Sequence, residues 1–323
     1  MVTIDAVFAG PTGAASQGPG FIVSTHGTIL TSAYVVTDAG SDSGLPVRAA
    51  TTVYAKFDDR DRVAATIVGR DVFSDIGVLK VDPRQHALLP VPLGESADVR
   101  VGDPVAAIGS PFGNEGSLSV GVVSATRRSI ASLTSNYNLV DAIQFDAPTN
   151  HGNSGGPVLD RAGRVIGTSA QIRSNSGVAE GVGFAVPIDA PRRALNQIPA
   201  TGRARYALVG NRSEDLTPSR ARVLGYPVPE GAVTDRVDPR AAAAAAGLRG
   251  GTRNAEVNGA TFRVGGDVIV AIAGQPIRSA DDVSRVVATG LELGQIVPFT
   301  VLRGKQRLVV KVRLGERLPA TTG

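Results

Sequence analysis

The sequence contains no cysteine, no tryptophan and only one methionine. Without cysteine, the chain can form neither a disulfide bond nor a thiol nucleophile. Histidine is also scarce. His26, His86 and His151 lie far apart and lack the spacing of metal ligands. We therefore expect no metal site and no cofactor.

Long hydrophobic runs are missing as well. No apolar stretch approaches the ~20 residues that a membrane-spanning helix needs, and residues 1–5 lack the apolar core of a signal peptide. We expect the visible chain to be soluble. Because it opens almost directly into a strand-like segment, an upstream export signal or membrane anchor remains an alternative. The 323 residues, 42% of them hydrophobic, suffice for two or three globular domains.

Charge is distributed unevenly along the chain. Residues 1–200 have a net charge of −3, and residues 201–323 have a net charge of +7. A basic C-terminal third can attract acidic partners. Its arginines are scattered and have no interleaved aromatic residues, so we expect no nucleic-acid binding.

Glycine and proline are abundant, with 39 and 20 residues, and runs with helical periodicity are few. This pattern favours short strands joined by tight turns. Residues 20–37 are interpreted as a hairpin that turns at His26-Gly27. Further strands are predicted at residues 53–57, 64–70, 76–81, 104–109, 119–126, 142–146, 158–159, 165–169 and 182–186. We expect two small antiparallel barrels, at about 1–95 and 100–190, which together form a domain of residues 1–190.

A second domain is predicted at residues 205–318, after a linker at 191–204 and before a tail at 319–323. The linker follows from the prolines and glycine between residues 189 and 205, a stretch interpreted as a short helix plus linker. In the second domain, Asp238 is expected to cap a helix that stops at Gly247. A second helix is expected near 279–288, followed by strands at 297–303 and 307–314.

Residues 149–157, Thr-Asn-His-Gly-Asn-Ser-Gly-Gly-Pro, contain one serine with glycines on both sides. The glycines allow the backbone to turn sharply and present the hydroxyl of Ser154. They also leave the N–H groups of Gly152 and Ser154 free to point at a developing oxyanion. A serine alone is a poor nucleophile, so the loop needs a base and an orienting carboxylate elsewhere in the chain.

Several further motifs occur in a characteristic order. They are Gly-Pro-Gly-Phe-Ile-Val at 18–23, Leu-Thr-Ser-Ala-Tyr-Val-Val at 30–36, Ser-Asp-Ile-Gly-Val-Leu-Lys at 74–80, Val-Gly-Asp at 101–103, Ile-Gly-Ser-Pro-Phe-Gly at 108–113, Ala-Gly-Leu-Arg-Gly-Gly at 246–251 and Gly-Asp-Val-Ile at 266–269. Together with the serine loop, they make the chain resemble the HtrA/Deg family of chymotrypsin-like serine proteases. The resemblance covers essentially the whole chain. It implies a mostly β fold, with a two-barrel protease domain followed by a smaller α+β PDZ domain.

The resemblance also implies the catalytic residues. Ser154 takes the nucleophile position, Gly152 and Ser154 form the oxyanion hole, and Asp75 is the orienting carboxylate. The family's histidine position is occupied by Tyr34. Imidazole has a pKa of ~6.5 and can both accept and return a proton, whereas a phenol with a pKa of ~10 stays protonated at pH 7. A neutral phenol can donate a hydrogen bond to Asp75 or Ser154 but accepts a serine proton poorly.

The substrate-binding residues follow from the same likeness. Pro148 lies where the family sets the floor of the primary pocket, and His151 lies at the rim of that pocket. Thr168, Ser169 and Ala170 form the strand expected to pair with substrate. No charged residue stands at the floor or on this strand, so the pocket should suit small or medium apolar side chains.

The PDZ part departs from the family pattern in its carboxylate-binding loop. Tyr206, Ala207, Leu208 and Val209 place a leucine where a glycine normally lets N–H groups turn toward a peptide C-terminus. Binding of protein C-termini through this loop is therefore left open. Pairing of a peptide with an edge strand needs only an open strand.

The leading hypothesis is an inactive or very slow protease homologue that binds unfolded or extended polypeptide as a chaperone, scaffold or regulatory partner. One alternative is an active serine endopeptidase of protein quality control that uses Ser154 with an unusual base, for which His151 is the rival candidate. Another is an active protease disabled by one substitution. The resemblance further suggests a homotrimer and an extracytoplasmic location. Phe8 is a candidate trimer contact, although a core position fits it equally well.

Overall fold

The computed structural model describes residues 1–9, 14–38, 48–132, 134–135, 137–172 and 181–318. The chain forms two compact units, Met1–Ala204 and Arg205–Leu318. The expected tail at 319–323 lies outside the described residues.

The first unit begins with a closed antiparallel barrel. Its strands are β1 (Val2–Val7), β2 (Ala15–Ile22), β3 (Thr28–Thr31), β4 (Thr52–Lys56), β5 (Arg62–Asp71) and β6 (Ile76–Val81), in the spatial order β1-β2-β3-β6-β5-β4. Strands β2 and β3 pair in the predicted hairpin, with His26 and Gly27 in its turn. Inward-facing aliphatic residues of all six strands, among them Ile4, Ile29 and Leu79, fill the barrel and exclude water from it.

A second closed barrel follows. Its strands are β7 (Pro104–Gly109), β8 (Ser117–Ala131), β9 (Asn138–Phe145), β10 (Pro157–Leu159), β11 (Val165–Ile172) and β12 (Gly183–Pro187), in the order β10-β11-β12-β9-β8-β7. Every strand expected from the sequence in this region is present. Phe21 and Ile76 of the first barrel share one apolar cluster with Phe184 and Val186 of the second. This shared core fixes the two barrels against each other, so residues from both can form one site.

Helix α1 (Asp189–Thr201) closes the first unit. Pro191, Ala194 and Ile198 are buried, and the last two belong to the core shared by the barrels. The short helix predicted between residues 189 and 205 is present, but it occupies most of the linker predicted at 191–204 and packs on the barrels. The prolines mislead because Pro191 lies in the first turn, where its missing N–H needs no helical acceptor, and Pro199 lies near the end.

The second unit contains a sheet in the order β14-β15-β18-β20-β21, with β19 added to β18. Two small sheets pair β13 with β22 and β16 with β17. The strands are β13 (Ala207–Leu208), β14 (Asn211–Leu216), β15 (Gly231–Val237), β16 (Arg253–Val257), β17 (Ala260–Val264), β18 (Val268–Ile272), β19 (Gln275–Pro276), β20 (Ile296–Arg303), β21 (Gln306–Arg313) and β22 (Gly315–Glu316), and the helices are α2 (Pro218–Leu224), α3 (Ala242–Ala245) and α4 (Ala280–Gly290).

The two helices expected in this unit are both present, but one begins later than predicted. Helix α4 begins after Ser279, whose hydroxyl accepts a hydrogen bond from the N–H of Asp282, as an N-cap does. Asp238 instead accepts from the N–H of Arg240 and shapes a turn ahead of α3. The α-helix is therefore only four residues long, and Ala241 occupies its N-cap position.

Candidate active site

The loop that carries Ser154 is held between the two barrels by close backbone contacts. Gly155 has a φ of +97°. A Cβ at this position would lie 2.6 Å from the carbonyl oxygen of Pro19 and 2.7 Å from the backbone nitrogen of Ser32. A side chain cannot fit there, and the positive φ disfavours one as well. The glycine after the serine therefore brings the loop directly against the first barrel.

The backbone of the loop is tied down on its other side by the segment that follows β7. Ser110 donates its N–H to the carbonyl of Gly152 at 3.1 Å, and Phe112 donates to the carbonyl of His151 at 3.2 Å. Within the described residues, no carbonyl accepts a hydrogen bond from the N–H of Gly152 or of Ser154. The two N–H groups expected to form an oxyanion hole thus have no acceptor among the described residues, while carbonyls of the same loop accept hydrogen bonds.

Asp75 lies in the turn before β6 and is 3% exposed. Its Oδ2 accepts a hydrogen bond of 2.5 Å from the hydroxyl of Ser32, and its Oδ1 accepts one of 2.8 Å from the backbone N–H of Tyr34. Burial raises the pKa of this carboxyl to about 6, because the loss of hydration outweighs the two hydrogen bonds that favour its charged form. The nearby negative charge of Asp71 raises the pKa further. The carboxyl expected to orient a base is therefore buried, held by hydrogen bonds and raised in pKa to about 6.

Ser32 is a site residue that the sequence analysis missed. It caps the short 3₁₀ helix Ala33–Val36, and its hydroxyl also lies 3.3 Å from the N–H of Tyr34. A serine ahead of a helical turn is a recognisable N-cap signal. That signal predicts the local cap, but only the pairing of β3 with β6 brings this hydroxyl to Asp75.

Tyr34 occupies the second position of the same 3₁₀ helix. Its backbone contacts Asp75, but its side chain is 40% exposed. No described residue hydrogen-bonds to its phenolic oxygen. The hydrogen bond from the phenol to Asp75 or Ser154, which the sequence analysis considered, is not formed within the described residues. The ring therefore supplies no base next to the serine.

The hydroxyl of Ser154 is hydrogen-bonded to the backbone of the second barrel. Its Oγ donates a hydrogen bond of 2.8 Å to the carbonyl oxygen of Ala170 on β11. His26 and His151 are exposed, and His86 stacks on Phe57 with ring centroids 3.7 Å apart. In the described part of the chain, no histidine is hydrogen-bonded to Ser154 or to Asp75. The serine therefore has no imidazole partner.

The three residues expected to pair with substrate differ in their availability. Thr168 pairs with Pro157 on one side and Val186 on the other. Ser169 donates its N–H to Gly156 and accepts from Gly155, both at 2.8 Å. The sheet thus already uses backbone groups of these two residues, and their pairing with substrate stays a prediction.

Ala170 is the third residue and is the extra residue of a β-bulge between Ser169 and Gln171. Its carbonyl accepts the hydrogen bond of Ser154. Pro148, expected on the pocket floor, is exposed, and His151, expected at the rim, is exposed as well. Exposure is compatible with an open pocket lined by these two residues.

In the second unit, the predicted carboxylate-binding loop takes part in internal pairing. Ala207 and Leu208 pair with Glu316 and Gly315. Tyr206 and Val209 are buried, and Val209 accepts a hydrogen bond from the N–H of Ala243. The residue with left-handed backbone is Gly210, at φ +79°, two positions after the leucine that replaces the expected glycine. The turn of this loop therefore lies later in the sequence than the resemblance to the family implies.

The described residues bear on metal binding and on membrane insertion. They contain no group of three or more His, Cys, Asp or Glu side chains arranged to hold a metal ion. They also contain no helix that is both long and apolar enough to cross a membrane.

Comparison with known proteins was made at the level of sequence and of structure. The family model for the trypsin-like peptidase domain matches residues 18–167. A DegP-like periplasmic serine endoprotease of Pseudomonas fluorescens is 35% identical over 302 residues, which cover 94% of this chain and 56% of the relative. The chloroplastic Protease Do-like 1 of Arabidopsis thaliana is 33% identical, with coverages of 92% and 63%. The serine protease HhoA of Synechocystis is 34% identical, with coverages of 94% and 71%.

Similar solved structures cover nearly the whole chain. The HtrA-type protease AlgW with a tripeptide superposes with a TM-score of 0.80 at 30% identity, covering 99% of this chain and 94% of that one. The same protease with a decapeptide gives a TM-score of 0.74 at 28% identity, with coverages of 99% and 96%. This chain spans only 56 to 63% of the length of the first three curated relatives, among them those from Pseudomonas fluorescens and Arabidopsis thaliana.

Proposed function

Because this chain belongs to the HtrA/DegP family of trypsin-like serine proteases, we propose that it binds extended or unfolded polypeptide but cleaves it very slowly or not at all. In this proposal the chain is a pseudoprotease that serves as a chaperone or scaffold in protein quality control.

The observation that carries the proposal is the hydrogen bonding of the two surviving triad residues. Asp75 accepts from Ser32 and from the backbone of Tyr34, and Ser154 donates to the carbonyl of Ala170. In a working triad the carboxylate orients a base and the base accepts from the serine. Here both groups are hydrogen-bonded elsewhere, and no base stands between them among the described residues.

The expected loss of rate is large. In a related protease, removal of the serine or the histidine costs on the order of 10⁶ in kcat, and a residual 10³–10⁴ over water comes from the oxyanion hole and binding. A phenol with an ordinary pKa of ~10 cannot replace imidazole at neutral pH. Tyr34 is also directed partly into solvent. Residual cleavage is therefore expected to depend on the oxyanion donors and on substrate binding.

We propose a PDZ-type peptide-binding role for the second unit. Support comes from its motifs at 246–251 and 266–269 and from its edge strand β14, which is paired only on the side of β15 among the described strands. The solved AlgW structures that match this chain contain peptides. Since Leu208 lies in the loop that normally binds a carboxylate, addition of a peptide strand to β14 is favoured over capture of a C-terminus.

We further propose that the chain self-associates, as a homotrimer. Phe8 is half-buried and packs against the core of the first barrel, so it does not support the predicted trimer contact. A better candidate is the apolar stripe Leu118, Val120 and Val122 on the outer face of β8, whose side chains are 61%, 65% and 39% exposed. An extracytoplasmic location is proposed because the Pseudomonas relative is described as periplasmic.

Casein cleavage tests the proposal directly. We expect the unaltered chain and Ser154→Ala to leave casein intact at the same background rate while both bind it, as followed by fluorescence anisotropy of the labelled substrate. Turnover by the unaltered chain that Ser154→Ala abolishes would show a working protease. If neither the unaltered chain nor Ser154→Ala binds casein, the result contradicts the proposed chaperone or scaffold role.

A further inference from the structure

We infer that Ser154 now acts as an internal cap on a substrate-binding carbonyl, so that extended polypeptide must displace its hydroxyl from Ala170 in order to bind. This inference rests on the proposed function, because it concerns the same cleft. It assigns the serine a role in regulating affinity that differs from nucleophilic attack.

The bulge in β11 explains why this carbonyl is available to the serine. Strand β11 pairs with β12 at Ser169 and again at Gln171, which leaves Ala170 as the unmatched residue between them. A bulged residue drops out of the regular ladder and turns its backbone groups in a new direction. Since Ser169 is already hydrogen-bonded to Gly155 and Gly156, Ala170 is the residue of this stretch whose carbonyl has no backbone donor among the described residues and accepts from Ser154 instead.

The serine satisfies that carbonyl in the free protein. Ala170 is 2% exposed, and its oxygen accepts from Ser154 Oγ at 2.8 Å. A buried carbonyl without a donor is costly, so the hydroxyl stabilises the free state. An extended peptide carries backbone N–H groups that can take the same place. The ligand must then exchange one hydrogen bond for another and gains little at this position.

Removing the hydroxyl should therefore tighten binding. In Ser154→Ala the carbonyl of Ala170 has no side-chain donor, and a peptide N–H would restore the missing hydrogen bond. The gain expected for one net hydrogen bond is roughly two- to tenfold in Kd. A protein in which Ser154 merely sits in an inactive site would bind equally well with serine or alanine.

The experiment measures the affinity of a short fluorescein-labelled peptide rich in valine and alanine, by anisotropy, for three proteins. They are the unaltered chain, Ser154→Ala and the matched control Ser124→Ala, which removes an exposed serine hydroxyl on β8. We expect tighter binding by roughly two- to tenfold for Ser154→Ala alone. A counterpart peptide with N-methylated backbone should show no gain, since it lacks the N–H donors.

The outcomes separate this inference from the proposed function. Equal affinity of the unaltered chain and Ser154→Ala, or an equal gain for the N-methylated peptide, would overturn the inference. Mass spectrometry of the peptide after each titration reports cleavage independently. Intact peptide with tighter binding by Ser154→Ala supports both proposals, and weaker binding by Ser154→Ala overturns the inference. Cleaved peptide with the unaltered chain contradicts the proposed function whatever the affinities are.

Discussion

The candidate site has two parts, the loop Gly152–Gly156 and the segment Ser32–Tyr34. They differ in which of their groups fit a serine protease site: the backbone in the loop, but not the side chain in the segment. The loop retains the backbone of a nucleophile turn: its carbonyls are fixed, and the N–H groups of Gly152 and Ser154 are uncommitted within the described residues. The segment lies beside Asp75 and carries no imidazole. Its contacts to Asp75 come from a capping hydroxyl and a backbone N–H.

This difference follows from what packing enforces. Gly155 has backbone atoms of the first barrel within 2.7 Å of where its Cβ would be, so the fold itself selects glycine. Tyr34 is 40% exposed and its phenolic oxygen makes no hydrogen bond to a described residue, so packing does not require a tyrosine there. Packing therefore selects the backbone geometry near the serine, whereas it does not select the residue at position 34.

The largest expected effect comes from restoring the base. Tyr34→His should raise casein hydrolysis by up to about 10⁶-fold, the cost of losing the histidine in a related protease, because the loop of Ser154 is already formed. Hydrolysis is followed by release of labelled fragments, with Tyr34→Phe and the double variant Tyr34→His/Ser154→Ala as controls. If Tyr34→His is no faster than Tyr34→Phe, the loop of Ser154 does not have a catalytic geometry either. The difference between the loop and the segment Ser32–Tyr34 would then not hold.

The packing of the loop is tested by Gly155→Ala. We expect this change to lower the free energy of unfolding by about 3 kcal/mol or more, because it adds both a backbone strain and a steric overlap with the first barrel. Gly163→Ala is the matched control. Gly163 also has a positive φ, of +74°, but its Cβ would have no neighbour within 4 Å, so about 1 kcal/mol is expected. Urea unfolding measures both; equal losses would contradict the packing argument.

The buried carboxyl of Asp75 gives a pH-dependent prediction. Its pKa is raised from 3.8 to about 6, so the folded state binds a proton more tightly than the unfolded state. The raised pKa contributes about 3 kcal/mol to the free energy of unfolding. This contribution is fully present below about pH 4 and is lost as the pH rises through about 6. Relative to Asp75→Asn, which cannot titrate, the unaltered chain should lose this much stability between pH 4 and pH 7 in urea titrations. Parallel pH profiles of the two proteins would refute the raised pKa.

A smaller effect is expected from Ser32→Ala. The hydroxyl of Ser32 stabilises the charged form of Asp75, so its removal should raise the pKa of Asp75 further and move the loss of stability to higher pH. At pH 8 the free energy of unfolding should fall by roughly 1.5–3 kcal/mol, the range for a hydrogen bond to a charged group. Ser124→Ala is the control, and an unchanged pH profile of Ser32→Ala would show that Ser32 does not hold the carboxylate.

Much of this architecture can be predicted from the sequence because it depends on local patterns. Alternating apolar residues place the strands of both barrels, and the flanking glycines place Ser154 in a tight turn. Three features are not local. The burial of α1 depends on a core shared by two barrels, the contact of Ser32 with Asp75 depends on strand pairing, and the bulge at Ala170 depends on the register of β11 with β12. The spacing of residues in the sequence does not reveal any of these three features, because each depends on segments that are distant in the chain.

The central claim is that Ser154 has a formed loop but no base, and covalent labelling tests it most directly. The unaltered chain, Tyr34→His and Ser154→Ala are incubated with a fluorophosphonate, and the intact mass of each protein is measured. We predict an adduct on Tyr34→His and none on the unaltered chain or on Ser154→Ala. An adduct on the unaltered chain that Ser154→Ala abolishes would contradict the account.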